Sequence, residues 1–301
     1  MEIINPRCGG LDLHKGSMTR CAKVLGKKKL FTFNTYTEGI RALGNWLTEQ
    51  QVTTLAMEST GVYWKPIWNI LETEFSNIKL VLAHAQHVKQ LPGRKTDVSD
   101  AEWLADLHSC GLIKGSRVPS RDERENSEIL RARRRLIEQR SRVVVRIQKL
   151  AEGANLKLSN VVSSITGKAG MAVLKAVASG ETDARKLQEL TNTGLKAKPE
   201  EILAALENSV GVHQRVILQV YLEQIEILNK GIKTLDQEIG KRMLPFEESA
   251  QLIDTVPGFT LTNGQEVLGY AGGPAFDDFP SAKHFASWTG LCPGNSVSAG
   301  K

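Results

Sequence analysis

Residues 8–35 read CGGLDLHKGSMTRCAKVLGKKKLFTFNT, and they decide the fold. Three short stretches, Gly9–Leu13, Arg20–Leu25 and Leu30–Thr35, have the composition and length of strands. Gly26-Lys27-Lys28-Lys29 separates the last two and reads as a hairpin turn carrying three lysines. Asp12 sits inside the first strand. Downstream, Glu38–Gln50 is an amphipathic helix through Ile40, Leu43 and Leu47, and Thr53–Glu58 is a buried strand ending on an acid. Ser59-Thr60-Gly61 is a turn, Tyr63–Phe75 a helix and Ile78–Ala83 a second buried strand. His84–Gln90 reads as a short helix that Leu91-Pro92-Gly93 breaks. Hairpin-linked strands followed by strands alternating with helices form a mixed α/β layer in the order of the ribonuclease H-like sheet. In that fold Asp12 and Glu58 lie at one end of adjacent strands.

The next helix spans Asp97 to Cys110 and is closed by Gly111. Ala101, Leu104, Ala105, His108 and Leu112 recur at helical spacing and share a face that should pack on the core. Asp97 and Asp100 extend that face toward the helix start. One reading makes them an N-cap and a first-turn acid that complement the helix dipole. The other makes them carboxylates turned toward a core, which require a paired charge or a metal. The stretch itself leaves both open.

With 301 residues the chain has room for about two domains, and its 41% hydrophobic content suffices for a real core. A bilayer-spanning helix takes about 20 apolar residues, and no such run is present. The N-terminus lacks the layout of a signal peptide. Cys8, Cys21, Cys110 and Cys292 are scattered, so neither a disulfide framework nor a zinc ribbon is expected, and the expected location is the cytoplasm. A formal charge of +6 is compatible with a nucleic-acid partner.

From Arg117 the composition shifts. A long helix over residues 121–152 carries Arg131, Arg133, Arg134, Arg135, Arg140 and Arg142 among its basic residues. Arginine's planar fork matches phosphate oxygens, and the arginines outnumber the local acids, so this helix is expected to hold nucleic acid. Residues 153–212 hold short helical patterns without evident chemistry. Leu218, Tyr221, Ile225, Leu228, Ile232, Leu235 and Ile239 then form a heptad seam. Its partner is either the arginine-rich helix of the same chain or a second copy. The expected organisation is a catalytic domain over 1–115, a helical and coiled-coil region over 116–245, and a small, mostly helical C-terminal domain over 246–301.

Asp12, Glu58, Asp97 and Asp100 converge in the fold proposed above, and clustered carboxylates require cations. Mg²⁺ suits them as a hard ion with oxygen ligands, and such sites clamp the oxygens of a phosphodiester. Each acid alone has an ordinary role at a strand end or helix start. Ser298 is a candidate nucleophile, although spacing alone makes it a polar loop residue. His14 and Lys15 either touch a phosphate or end the first strand. Glycine and hydroxyl residues, which sugar-kinase and actin-like ATPases place after the first-strand acid, are replaced here by His14 and Lys15.

Three groups of residues carry a family resemblance. They are Gly10-Leu11-Asp12-Leu13-His14-Lys15, Met57-Glu58-Ser59-Thr60-Gly61-Val62-Tyr63-Trp64, and the block from Pro92 through Arg94, Lys95, Asp97 and Asp100 to Ala101. Thr255-Val256-Pro257-Gly258, Trp288 to Asn295 and Ser298-Ala299-Gly300-Lys301 extend it. The chain resembles transposases of the insertion-sequence-110 family, of the DEDD type. The resemblance implies a RuvC-like N-terminal domain whose acids are Asp12, Glu58, Asp97 and Asp100, with Mg²⁺ as cofactor. It implies a C-terminal domain whose serine nucleophile is Ser298. It further implies recombination of DNA directed by a structured guide RNA, with Arg94 and Lys95 beside the metal site facing phosphate, and a homo-oligomer in which one subunit's serine meets another's acids. Relatives continue past the serine motif, so the resemblance implies a C-terminal truncation at Lys301. A RuvC-like nuclease that uses water is the alternative, as is an inactive remnant that binds nucleic acid.

Overall fold

The computed structural model describes residues 2–59, 61–84, 88, 100–191, 197–273, 276 and 279–289. The chain divides into two compact units, residues 1–121 and 122–301.

The first unit is a sheet of six strands with helices on both faces. Its strands are β1 (Arg7–Leu13), β2 (Ser17–Val24), β3 (Lys27–Asn34), β4 (Thr54–Glu58), β5 (Lys79–Ala83) and the short β6 (Gly115–Ser116). The order across the sheet is β3-β2-β1-β4-β5-β6. β1, β2 and β3 are antiparallel neighbours, β4 and β5 run parallel to β1, and β6 returns antiparallel to β5. This is the expected RuvC-like, mixed α/β sheet. The hairpin strands are longer than the apolar stretches suggested, because Lys27, Lys28 and Lys29 keep pairing through positions that read as turn.

Strand alternation divides the core in two. On one face Leu11, Leu13, Met18, Leu55 and Met57 pack under α1 (Thr37–Glu49) and α2 (Trp64–Glu74). Ile40, Leu43 and Leu47 from α1 and Ile67 and Leu71 from α2 are 0–1% exposed. The other face takes α3, described over Asp100–Ser109. Ala101 and Ala105 settle on Cys21, and Leu104 and Leu107 on Ala56 and Ala83. Gly10 makes this approach possible, since a Cβ there would stand 2.3 Å from the Ala101 carbonyl oxygen and 2.4 Å from the Ala105 nitrogen. Leu112, expected on the same stripe, is 40% exposed. The helix ends before it, and Gly111, at φ +69°, turns the chain away.

The second unit is helical. Its two long elements are α4 (Arg121–Gly153) and α9 (Val212–Met243). Between them come α5 (Leu158–Val161), α6 (Lys168–Ala178), α7 (Ala184–Glu189) and α8 (Pro199–Leu206). The stretch that showed only broken helical patterns therefore supplies a core, with Leu156, Leu174, Leu187 and Leu206 packed against Val143 and Ile147 of α4 and Leu218 and Ile225 of α9. The heptad residues Leu218, Ile225, Ile232 and Ile239 are buried within one chain. Arg133 on α4 binds Asp236 of α9, and Arg242 on α9 reaches Glu125 of α4 at 3.2 Å. After a short 3-10 turn come α10 (Glu247–Asp254), α11 (Leu261–Ala271) and α12 (Ala282–Trp288). Thr260 caps α11 by accepting from the Asn263 backbone N–H. No helix among the described residues is long and apolar enough to cross a membrane.

Candidate acidic site and basic surfaces

Asp12 is the next-to-last residue of β1 and pairs across to Thr19. Glu58 is the last residue of β4 and stands opposite Ala83 of β5. β1 and β4 run in parallel, with Leu11 in register with Met57. Leu11 and Met57 both face α1 and α2. One residue further along each strand, the alternation turns Asp12 and Glu58 to the opposite face. The two carboxylates therefore occupy neighbouring strand ends on the face that carries α3. The contact of Ala101 with Gly10, two residues before Asp12, brings the first turn of α3 to that same end.

Asp100 opens α3 but does not continue the buried stripe; it is exposed. Gly10 is where the helix meets the sheet, and Asp100 lies on the solvent side of that contact. Asp97, Arg94, Lys95 and Ser298 lie outside the described residues. Among the described residues, no three His, Cys, Asp or Glu side chains gather closely enough to hold a metal ion, so Asp12, Glu58 and Asp100 alone do not form such a set. Their donor chemistry, hard carboxylate oxygen at the open end of a sheet, fits a divalent cation of the Mg²⁺ class.

His14, whose place after Asp12 fits either a phosphate contact or a strand end, stands just beyond β1. Its Nε2 lies 3.1 Å from Asp12 Oδ2. The signal was present in the sequence as two-residue spacing, which puts both side chains on one face of an extended chain.

The rest of this face is polar but matched. Lys23 Nζ and Lys28 Nζ donate to the two oxygens of Asp106 on α3 at 2.8 and 2.7 Å. Burial acts to raise the Asp106 pKa, and the hydrogen bonds from Lys23 and Lys28 outweigh it, leaving the carboxyl below its ordinary value. His108 shares a 2.9 Å hydrogen bond with Thr54. Burial, reinforced by the charge of Lys79, lowers its pKa to about 4, so the ring is neutral at pH 7. Burial pushes the thiols of Cys8 and Cys21 up to about 11, which removes them as nucleophiles.

In the second unit the arginines of α4 split by direction. Arg133 is turned inward, where it binds Asp236 and Glu266. Arg131, Arg134, Arg135 and Arg142 are exposed, as are Arg146 and Lys149. Arg131, Arg135, Arg142, Arg146 and Lys149 fall at spacings that align them along one side of the helix. Glu138 engages Arg134 at 3.3 Å, one turn along. Arg131 hydrogen-bonds Tyr270, whose phenol pKa burial raises. Arg142 and Arg146 border a groove floored by Val143, Ile227 and Leu228.

No curated protein matches the chain. Residues 9–155, which include all of the sheet but the first two residues of β1, the acids and all of α4, match the DEDD-type IS110 transposase family. Residues 250–301 match the family described as Transposase IS116/IS110/IS902. Both matches name the same kind of protein and together span about two-thirds of the chain. With an RNase H-like sheet that turns two carboxylates to one open end, and a helical unit lined with exposed arginine, the chain belongs to the IS110 family of transposases, enzymes that act on DNA.

Proposed function

We propose that this transposase exchanges DNA strands under the direction of a structured guide RNA, using Mg²⁺ at Asp12, Glu58, Asp97 and Asp100 and Ser298 as nucleophile. The observation that carries the reading is the placement of Asp12 and Glu58 on one face at adjacent parallel strand ends. Carboxylates so placed suit a cation-dependent phosphodiester reaction. When bound there, Mg²⁺ supplies positive charge to the attacking and leaving oxygens.

The residue chemistry is isoenergetic in bonds. Ser298 Oγ gives up its proton and bonds to phosphorus, and the displaced deoxyribose oxygen takes up a proton. A second deoxyribose hydroxyl then reverses the step on the protein–DNA ester. One phosphate ester is made for each one broken, so no nucleotide triphosphate is consumed. The basic side of α4, with Arg131, Arg134, Arg135 and Arg142, is suited to nucleic-acid backbone, and Arg94 and Lys95 take the same role near the acids. A homo-oligomer would let the serine of one subunit act with the acids of another. The catalytic, helical and C-terminal parts, 1–115, 116–245 and 246–301, divide these tasks.

The test is denaturing gel electrophoresis of the chain incubated with Mg²⁺, labelled element-end DNA and RNA transcribed from the element ends. A covalent protein–DNA band is expected, lost in Ser298→Ala and in Asp12→Asn, and dependent on the RNA. Cleavage that persists in Ser298→Ala without a covalent band would establish a hydrolytic nuclease instead. Binding without cleavage by the unaltered chain would establish a nucleic-acid-binding remnant.

A further inference from the structure

The lysine-bearing hairpin has no part in the acidic site. Its four lysines divide by strand alternation. Lys23 and Lys28 stand opposite each other on the α3 face, and Asp106 binds both. Lys27 and Lys29 point to the other face, in line with Phe31 and Phe33 at two-residue spacing. Lys29 Nζ donates to the neutral Gln50 Oε1, and among the described residues neither Lys27 nor Lys29 has a carboxylate partner. Glu49 lines the same cleft as these lysines, beyond ion-pair distance of either.

Beneath this row lies Arg20 of β2, in register with Phe31. Arg20 is 0% exposed, and its Nε and both terminal nitrogens have no hydrogen-bond partner. Its Cζ stands 3.6 Å from the Phe33 ring centroid, 3.8 Å from Trp46 and 4.8 Å from Phe31. A cation with aromatic faces as its only company holds those rings in place from below. Phe31 and Phe33 meet at 5.0 Å, and Phe31 remains 54% exposed. β3 is an edge strand, so its outer side is unpaired by the sheet. Successive lysines on an edge oppose pairing with another protein strand. An exposed aromatic ring backed by a fixed positive charge, and continued by unneutralised lysines, suits the π-face and phosphates of unpaired nucleotides.

We infer that the Lys27, Lys29 and Phe31 row of β3 is a binding platform for single-stranded DNA, with Phe31 stacking a base and the two lysines holding adjacent phosphates. The inference rests on the family's action on DNA and not on the identity of its nucleophile or guide. β3 lies two strands from β1; Thr32 continues the row Asp12–Thr19–Thr32 on the α3 face, and Phe31, next along the strand, belongs to the row Leu11–Arg20–Phe31 on the opposite face. With strands about 4.8 Å apart, the platform edge is about 10 Å from the Asp12 strand.

The experiment measures fluorescence anisotropy of labelled oligodeoxythymidine of about 12 nucleotides, within the usual site size, with the full chain. The same oligomer as DNA duplex and as RNA gives the comparison arms. Phe31→Ala is expected to weaken single-strand binding by about fivefold to 150-fold, the equivalent of one lost base stack. Phe31→Trp is expected to restore it. The double variant Lys27→Ala/Lys29→Ala should flatten the log–log salt dependence by about 1.4, for two phosphate contacts. Lys28→Ala, which removes a lysine bound to Asp106 on the opposite face of the hairpin, should leave that slope unchanged. Thermal unfolding of each variant shows that the sheet is retained. The inference is overturned if folded Phe31→Ala binds within about twofold of the original chain, since that is below a stacking contribution. It is also overturned if Phe31→Ala weakens duplex binding equally, or weakens binding of the RNA oligomer more than that of the DNA.

Discussion

On the sheet face beneath α3, charged and polar groups meet partners: Asp106 holds Lys23 and Lys28, and His108 meets Thr54. On the face beneath α1, the guanidinium of Arg20 is more deeply buried and meets only rings. Helix distance explains part of this difference. α3 rides close to the sheet over Gly10, so its polar side chains reach strand residues directly. α1 and α2 are held off by Leu, Ile, Met and Trp side chains, and that thick apolar layer contains no acid to answer Arg20. The close face is thus the one that can organise carboxylates, and the open end of it carries Asp12 and Glu58.

The largest expected effect comes from destroying the close approach. Gly10→Val places methyl carbons into the Ala101 and Ala105 backbone, which cannot yield without moving α3. Overpacking of this kind costs about 3 kcal/mol, lowering Tm by roughly 10 °C for a unit of this size. DNA cleavage should be lost as well, because α3 would leave the strand ends. Gly16→Val, at a position with nothing within 4 Å, should change stability by no more than about 0.5 kcal/mol. Scanning calorimetry of both variants decides; equal Tm values would show that α3 does not need the glycine.

His108 gives the next effect, through pH. Its folded pKa is lowered to about 4 by burial and then by Lys79, while an unfolded histidine stays near 6.5. Between these values the unfolded chain binds the extra proton, so stability is full above pH 6.5, falls as pH drops toward 4 and then levels. The change is on the order of 3 kcal/mol. Urea unfolding from pH 7.5 to pH 4 should show this slope, and His108→Gln should remove much of it. An unchanged slope in the variant would mean that carboxylates elsewhere produce it.

Asp106→Asn is milder, because Asp106, Lys23 and Lys28 are each 17–31% exposed. Exposed pairs contribute about 0–1 kcal/mol, so a loss of about 1 kcal/mol is expected by urea unfolding. Non-specific duplex DNA binding should rise as Lys23 and Lys28 are released. A loss above about 3 kcal/mol would mark the cluster as a buried pair.

The ribonuclease H-like order was legible because its signals are local: strand-length apolar runs, a Gly-Lys turn, helical periodicity. The acids Asp12 and Glu58 were legible for the same reason, each ending a run whose alternation fixes its face. Asp100 was harder. Its helical phase matched the buried stripe, but burial depends on whether sheet lies beneath that turn, and the sheet contact is at Gly10 and Ala101. The inward turn of Arg133 among outward arginines depends on Asp236 and Glu266, which are more than 100 residues away in sequence. Arg20 was invisible for a related reason. A strand arginine reads as exposed, and only the tertiary meeting of Phe33 and Trp46 encloses it.

The smallest expected effect falls on Arg20 itself. Burying a guanidinium without hydrogen bonds costs several kcal/mol. Two ring faces, each worth about 2 kcal/mol when desolvated, offset most of that cost. Methionine has a similar length, carries no charge to desolvate and keeps a sulfur–aromatic contact of about 1 kcal/mol. Arg20→Met should therefore change unfolding free energy by no more than about 0.5 kcal/mol. If Arg20→Met instead costs more than about 3 kcal/mol, the guanidinium is held by more than its rings, and the contrast between the two faces fails. If stability is kept while single-stranded DNA binding weakens, the buried charge serves the ring above it. In that case the unmatched face is as functional as the matched one, and the two faces differ in which part of the nucleic acid they address.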